Sequence, residues 1–309
     1  MEKIMAVLEI IVPILVVILL GVYAKKTNMI SIGENKGLQQ FVMKFGLPCV
    51  LFNSCLSAQI QAESITSMAL VLPLVFLSSV LSFQLRKKKY PYSNLPLMFS
   101  AQESGMLGIP LFMTLFGTAQ AYRMGVLDMT QSLIAIPVIA ILSTNTGENP
   151  SVSSIIKKVF QSPLLIMSLL GLVLNLSGMI QVLNSVGIGN IITETTGFLA
   201  QPVSAVILFS VGYNFSIGEG NRKHIFELCG LHFGLFALFC VIMELALFLV
   251  PNVAVETRWA ILLYSVLPAS FLTPSFGKNE DESAVASSVC SLLTVVCLII
   301  FIIMTILVK

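Results

Sequence analysis

The chain is poor in charge. Only 10% of its 309 residues are Asp, Glu, Lys or Arg, against roughly 25% in a soluble domain, which excludes an ordinary water-facing globular fold. Histidine is nearly missing, with His224 and His232 the only two. No nucleophile stands beside a base and no ligand cluster is legible, so the sequence is not read as an enzyme and no catalytic residue, metal or cofactor is assigned. The six cysteines (Cys49, Cys55, Cys229, Cys240, Cys290, Cys297) form no CxxC pair and sit in apolar runs. That pattern speaks against a zinc site or a disulfide framework and for small apolar packing residues. No connecting segment is long enough to fold alone. The formal charge of +2 is spread over short loops, so no nucleic-acid partner is expected.

What the chain has is apolar length. It is 56% hydrophobic, with a mean hydropathy of +0.95, the composition of an all-α polytopic membrane protein. A bilayer core about 30 Å thick takes about 20 apolar residues in a helix, the conformation that satisfies every backbone group within its own segment. Ten such windows can be drawn, near 4–24, 37–57, 65–85, 92–116, 121–142, 163–183, 191–213, 225–250, 254–274 and 284–308. The first is read as a retained span rather than a leader, because Glu9 interrupts it and Lys25 and Lys26 follow it.

Charge placement gives the expected orientation. Loops after the odd-numbered windows hold twelve basic residues: Lys25, Lys26, Lys36, Arg86, Lys87, Lys88, Lys89, Lys157, Lys158, Arg222, Lys223 and Lys278. The opposite face holds Lys3, Arg123, Arg258 and Lys309, while Lys44 lies within a span and is expected to snorkel. The positive-inside rule then predicts a plasma-membrane protein with both termini extracytoplasmic.

Residues 13–21 read PILVVILLG and residues 163–171 read PLLIMSLLG, 150 positions apart. A second pair follows in the same order, LPCVLFNS at 47–54 and QPVSAVILFS at 201–210. Copies placed in windows one and six run in opposite directions, because an odd number of spans separates them. The expected organisation is two inverted five-helix repeats, 1–142 and 163–309, joined by a central cytoplasmic loop at 143–162. Inverted repeats let a central site face the two sides of a membrane in turn.

Windows four and nine are the expected broken helices. In the first, Gln102, Glu103 and Ser104 precede Gly105, Gly108 and Pro110, which predicts a break near 105–110. In the second, Pro268 and Pro274 flank Ser270 and Thr273. Paired discontinuous helices point to a binding site, and the N–H groups that such breaks expose suit an anion. The substrate-binding candidates are therefore Gln102, Glu103, Ser104, Gly105, Gly108, Pro110, Pro268, Ser270 and Thr273. Asn53 joins them, although it, Tyr213 and Asn214 also suit hydrogen bonds between helices.

Glu103 is a carboxylate at mid-membrane, which costs about 2.5 to 3.5 kcal/mol on insertion scales and calls for a role. Protonated, it can donate to a carboxylate substrate, which makes it the proton-coupling candidate. An ionised Glu103 paired to sodium or to a cationic solute is the competing explanation. Asp128, with Gln131 one turn later, either faces the same cavity as a second coupling group or lies near the outer interface. Glu9, Glu227 and Glu244 have no assigned place.

The stretch GMLGIPLFMTLFG (105–117) resembles the fourth-span motif of the auxin efflux carrier family, bacterial type, of the bile acid/auxin transporter superfamily. LPASFLTPSFGKNEDESAVASSVCSLLTVV (267–296) and GLPCVLFNS (46–54) resemble that family's penultimate-span and second-span signatures. The resemblance implies ten spans in two inverted bundles of five, with the fourth and ninth crossing at their breaks. It also implies a scaffold of spans one, two, six and seven beside a moving transport domain, often in a homodimer. The function it implies is alternating-access transport of a small organic anion, auxin in plants and dicarboxylates such as malate or malonate in bacteria. Gly105, Gly108, Pro110 and Pro268 match the motifs. Glu103 stands where the family usually has Asn, and Ser275, Phe276 and Gly277 depart mildly from its Tyr-Gly turn.

Overall fold

A computed structural model of the chain describes residues 2–56, 58, 62–144, 161–215 and 221–309. Among them only helices and an isolated two-residue bridge occur. α1 spans Glu2–Lys26. α2 (Ile32–Phe41) continues through a π-helical turn, Val42–Gly46, into α3 (Leu47–Leu56). Ser31 and Glu34 close a capping box at the start of α2, and the two bonds from Ser31 hold the Glu34 carboxyl below its ordinary value. α4 is Ala62–Lys88, followed by α5 (Leu95–Ser100), a π-helical turn (Ser104–Gly108), α6 (Ile109–Phe116) and α7 (Ala121–Thr144).

The second half holds α8 (Pro163–Leu176), α9 (Met179–Ser185), α10 (Ile188–Ala200) and α11 (Val203–Asn214). It continues with α12 (Arg222–Leu247), α13 (Val255–Val266), a 3-10 turn at Thr273–Phe276 and α14 (Glu280–Val308). These helices occupy the ten apolar windows. Five stretches, Val7–Lys26, Ala62–Lys88, Ile188–Asn214, Arg222–Leu247 and Glu280–Val308, are long and apolar enough to cross a bilayer, and α8 with α9, bent by 79°, makes a sixth if taken as one span. The protein is a polytopic membrane protein. Most of the central loop, with Lys157 and Lys158, lies outside the described residues.

Large side chains such as Phe198, Phe248 and Leu249 are exposed. Water would disfavour such a surface, whereas lipid chains accept it. At the closest helix contacts, small residues let backbones approach. α1 packs along α11, and α3 along α8. A Cβ built on Gly21 would lie 2.0 Å from the Phe209 carbonyl oxygen, and one on Gly171 would lie 2.5 Å from that of Phe52. Gly21 and Gly171 close the two copies of the repeated segment, while Phe52 and Phe209 precede the serines that end the second pair. Each glycine thus sits under the corresponding phenylalanine of the other half.

The break in the fourth window is not at 105–110. The helix stops at Ser100, Ala101 is extended (φ −143°, ψ 122°), and 104–116 is helical again. Gly105 and Gly108 are accommodated in the π-helical turn, where the N–H groups of Leu107 and Gly108 both reach the Glu103 carbonyl. Pro110 is the second residue of α6 and follows the π-helical turn directly. The break falls earlier because 101–103 pairs as a short antiparallel bridge with the other broken segment.

Candidate functional site

The two breaks cross. The Glu103 N–H donates to the Pro268 carbonyl (2.8 Å), and the Ser270 N–H donates to the Ala101 carbonyl (2.9 Å), flanking the bridge between Gln102 and Ala269. Two interrupted helices thereby satisfy each other's freed backbone groups, the condition for irregular backbone inside a membrane.

Gln131 of α7 secures the crossing from one side. Its Oε1 accepts from the Gln102 N–H (2.9 Å) and from the Tyr264 hydroxyl (2.9 Å), while its Nε2 donates to the Gln102 carbonyl (2.8 Å) and to Ser104 Oγ (2.6 Å). From the other side comes His232 of α12, fully buried and packed on Phe99 and Phe236. With the Gln102 amide turned so that its nitrogen meets acceptors, it donates to the Leu267 and Pro268 carbonyls and to His232 Nε2 (3.1 Å). The Met98 backbone also bonds the His232 ring.

Glu103 is 7% exposed, and its Oε2 accepts the Phe271 N–H at 2.5 Å. Ser270 and the Met106 backbone also bond this carboxylate. Asp128 lies beside it, taking the Ser104 hydroxyl and, at 3.2 Å, the Gln131 amide. A Cβ on Gly105 would stand 3.7 Å from Asp128 Oδ1, so a small residue there keeps the carboxylate close to the turn. Both acids line one cavity of about 390 Å³ with Gln102, Gln131, Ser132 and Ser270, closed by apolar side chains including Met43 and Leu272. Among the described residues no Lys or Arg lines it.

The structure therefore brings Gln102, Glu103, Ser104, Gly105, Pro268 and Ser270 to one point, with Asp128 on the cavity rather than at the outer interface. Gly108 packs against Leu267 and Met124 just behind the crossing. Thr273 is fully buried, and its hydroxyl has no partner among the described residues. Pro110 lies further along, at the head of α6. Asn53 is elsewhere: its Oδ1 accepts from Thr196 of α10 at 2.6 Å. Tyr213 donates to the Ile30 carbonyl, and Asn214 accepts from Asn35. Lys44 is exposed.

Sequence reasoning gave no role to His232 or Tyr264 at this crossing, since a lone His or Tyr in an apolar run carries no local signal. Two of the unplaced acids find partners, Glu227 with Lys89 and Tyr90 far along the chain, and Glu244 with Arg258 14 residues on.

Crossed, interrupted helices around buried carboxylates are the architecture of a carrier, and the whole-chain comparison bears on it directly. Residues 6–308 match a family model described as "Membrane transport protein", the auxin efflux carrier family. The chain belongs to this family. No curated protein matches it. As a member of a transporter family whose model spans nearly its whole length, this membrane transport protein is a multi-pass membrane protein.

Proposed function

We propose that the protein is a secondary transporter that moves a small organic anion by alternating access, with protons carried at Glu103 and Asp128. The observation that carries this reading is the Glu103 carboxylate at the crossing, bonded to one broken helix from within the other and opening on a cavity.

The chemistry follows from the proton. Ionised Glu103 accepts the Phe271 N–H and ties the second break to the first. Protonated, it is a weaker acceptor and a donor, so it releases that N–H and offers its own O–H to an anionic substrate. Two carboxylates in one cavity, with no basic partner among the described residues, also make full ionisation costly. Proton binding relieves that cost and loosens the crossing in one event. Gln102, Ser104 and Ser270 supply the further polar contacts for cargo.

Alternation needs two arrangements of similar stability, and an inverted repeat supplies them. Two features support such a repeat: the reciprocal contacts of Gly21 with Phe209 and Gly171 with Phe52, and the mirrored packing of α1 on α11 and α8 on α3. We place the ten helical segments as ten spans with extracytoplasmic termini in the plasma membrane. The scaffold comprises α1, α2 with α3, α8 with α9, and α10 with α11, in a homodimer as the family implies.

A second reading has its own observation. Two acids and several side-chain oxygens facing a cavity with no base among the described residues suit sodium or a cationic solute paired to ionised Glu103. Uptake and counterflow in proteoliposomes across carboxylates, amino acids and amines, with imposed pH or sodium gradients, separate the two. Carboxylate flux that follows the pH gradient supports the first, and amine flux or sodium dependence supports the second.

A further inference from the structure

A second cavity, of about 230 Å³, lies against the ninth-window break. Its walls come from α2, the end of α11, the stretch 271–275 and α14. Its chemistry is the reverse of the first: Lys36 lines it, with Asn35, Gln39, Asn214 and Ser275, and among the described residues no Asp or Glu does.

The uncommitted side-chain nitrogens here are donors. Lys36 makes no ion pair with a described residue, the three that occur being elsewhere. The side-chain nitrogen of Gln39 is shut off from solvent and has no hydrogen-bond partner among the described residues. A buried donor left in that state costs about 1 to 3 kcal/mol, so it calls for a ligand. Asn35 receives the Ser210 hydroxyl on its Oδ1 (3.0 Å) and donates through Nδ2 to Asn214 Oδ1 (3.2 Å). That chain of bonds fixes the Asn214 amide with its oxygen engaged and its nitrogen as the remaining end.

We propose that this cavity binds the carboxylate of a small organic anion, held by the Lys36 ammonium and the side-chain amides of Gln39 and Asn214. The inference rests on the reading of the protein as an anion carrier and adds where the anion is captured. An ammonium with two amide donors suits a carboxylate through charge-assisted bonds. The position also couples the two cavities. Leu272 lines both, and Phe271, on the Lys36 side, sends its N–H to Glu103. An anion seated beside 271–275 therefore presses on the segment whose N–H the coupling carboxylate holds.

The test is equilibrium binding of labelled malonate, and separately of inorganic phosphate, to the full chain in nanodiscs of uncharged lipid. Lys36→Ala should weaken malonate binding by about tenfold or more, and Gln39→Leu should weaken it less. Lys36→Arg, which keeps the charge, should restore most of it and show that the pocket still folds. Lys26→Ala, which removes an exposed lysine outside the cavity, should bind as the unaltered chain does. Malonate binding equal in the unaltered chain and Lys36→Ala, or equally weakened by Lys26→Ala, overturns the proposal. Lys36-dependent binding of phosphate without malonate overturns the carboxylate assignment. Because the readout is binding, Lys36-dependent binding without flux would sink the carrier reading alone, and carboxylate flux with binding indifferent to Lys36 would sink this site alone.

Discussion

The main-chain N–H of Phe271 donates to the carboxylate of Glu103, residues 168 positions apart in sequence, at the point where two interrupted helices cross. A break exposes an N–H that suits an anion, and here the protein supplies the anion from its own chain. That carboxylate adds a side-chain tie to the backbone bonds, Glu103 N–H to Pro268 and Ser270 N–H to Ala101, that already join the two breaks.

Gln131 is the strut of that crossing. Gln131→Leu strips partners from both backbone groups of Gln102, from Ser104 and from the Tyr264 hydroxyl. Leaving buried groups unsatisfied costs about 1 to 3 kcal/mol for each one stranded. Thermal unfolding of the purified protein should fall clearly, and initial uptake rates should fall further than expression does. Unchanged unfolding and uptake would show that Gln131 holds nothing.

Glycines at the close helix contacts should tolerate no side chain. Gly21→Val and Gly171→Val each place carbon against a backbone carbonyl, which cannot rotate away. Both variants should lose the monodisperse peak in detergent size-exclusion chromatography. Gly37→Ala and Gly230→Ala, where an added Cβ meets nothing within 4 Å, should elute and unfold like the unaltered chain.

The Arg123–Glu63 ion pair joins the starts of α7 and α4, and Glu63 also accepts from Ala254 and Thr257 at the head of α13. Glu63 is 1% exposed. Arg123→Ala strands it, and breaking a buried pair from one side costs about 3 to 5 kcal/mol. The double variant Arg123→Met with Glu63→Leu removes both charges and should recover much of that loss. A single variant as stable as the double would mean that the pair is wet and contributes little.

Much of the fold was legible in the sequence because lipid imposes length and polarity limits on each segment. The apolar windows near 65–85 and 225–250 correspond to α4 and α12 with ends shifted by a few residues. What was misplaced was the fourth-window break. Local propensity points to Gly105, Gly108 and Pro110, but a π-helical turn absorbs the glycines, and pairing with residues 268–270 opens the chain at 101–103. Glu103 stood out by the cost of a carboxylate in lipid. His232, Tyr264 and the partners of Glu227 and Glu244 stayed hidden because only tertiary structure brings them within reach.

The account turns on Glu103 as the group that couples protons to cargo. The direct measurement is carboxylate uptake into proteoliposomes across an imposed pH gradient, comparing the unaltered chain with Glu103→Gln, which keeps the shape and cannot ionise. Uptake should follow the gradient in the unaltered protein and lose that dependence in the variant, while exchange of internal for external substrate persists. A Glu103→Gln protein whose uptake follows the pH gradient as before would contradict the account.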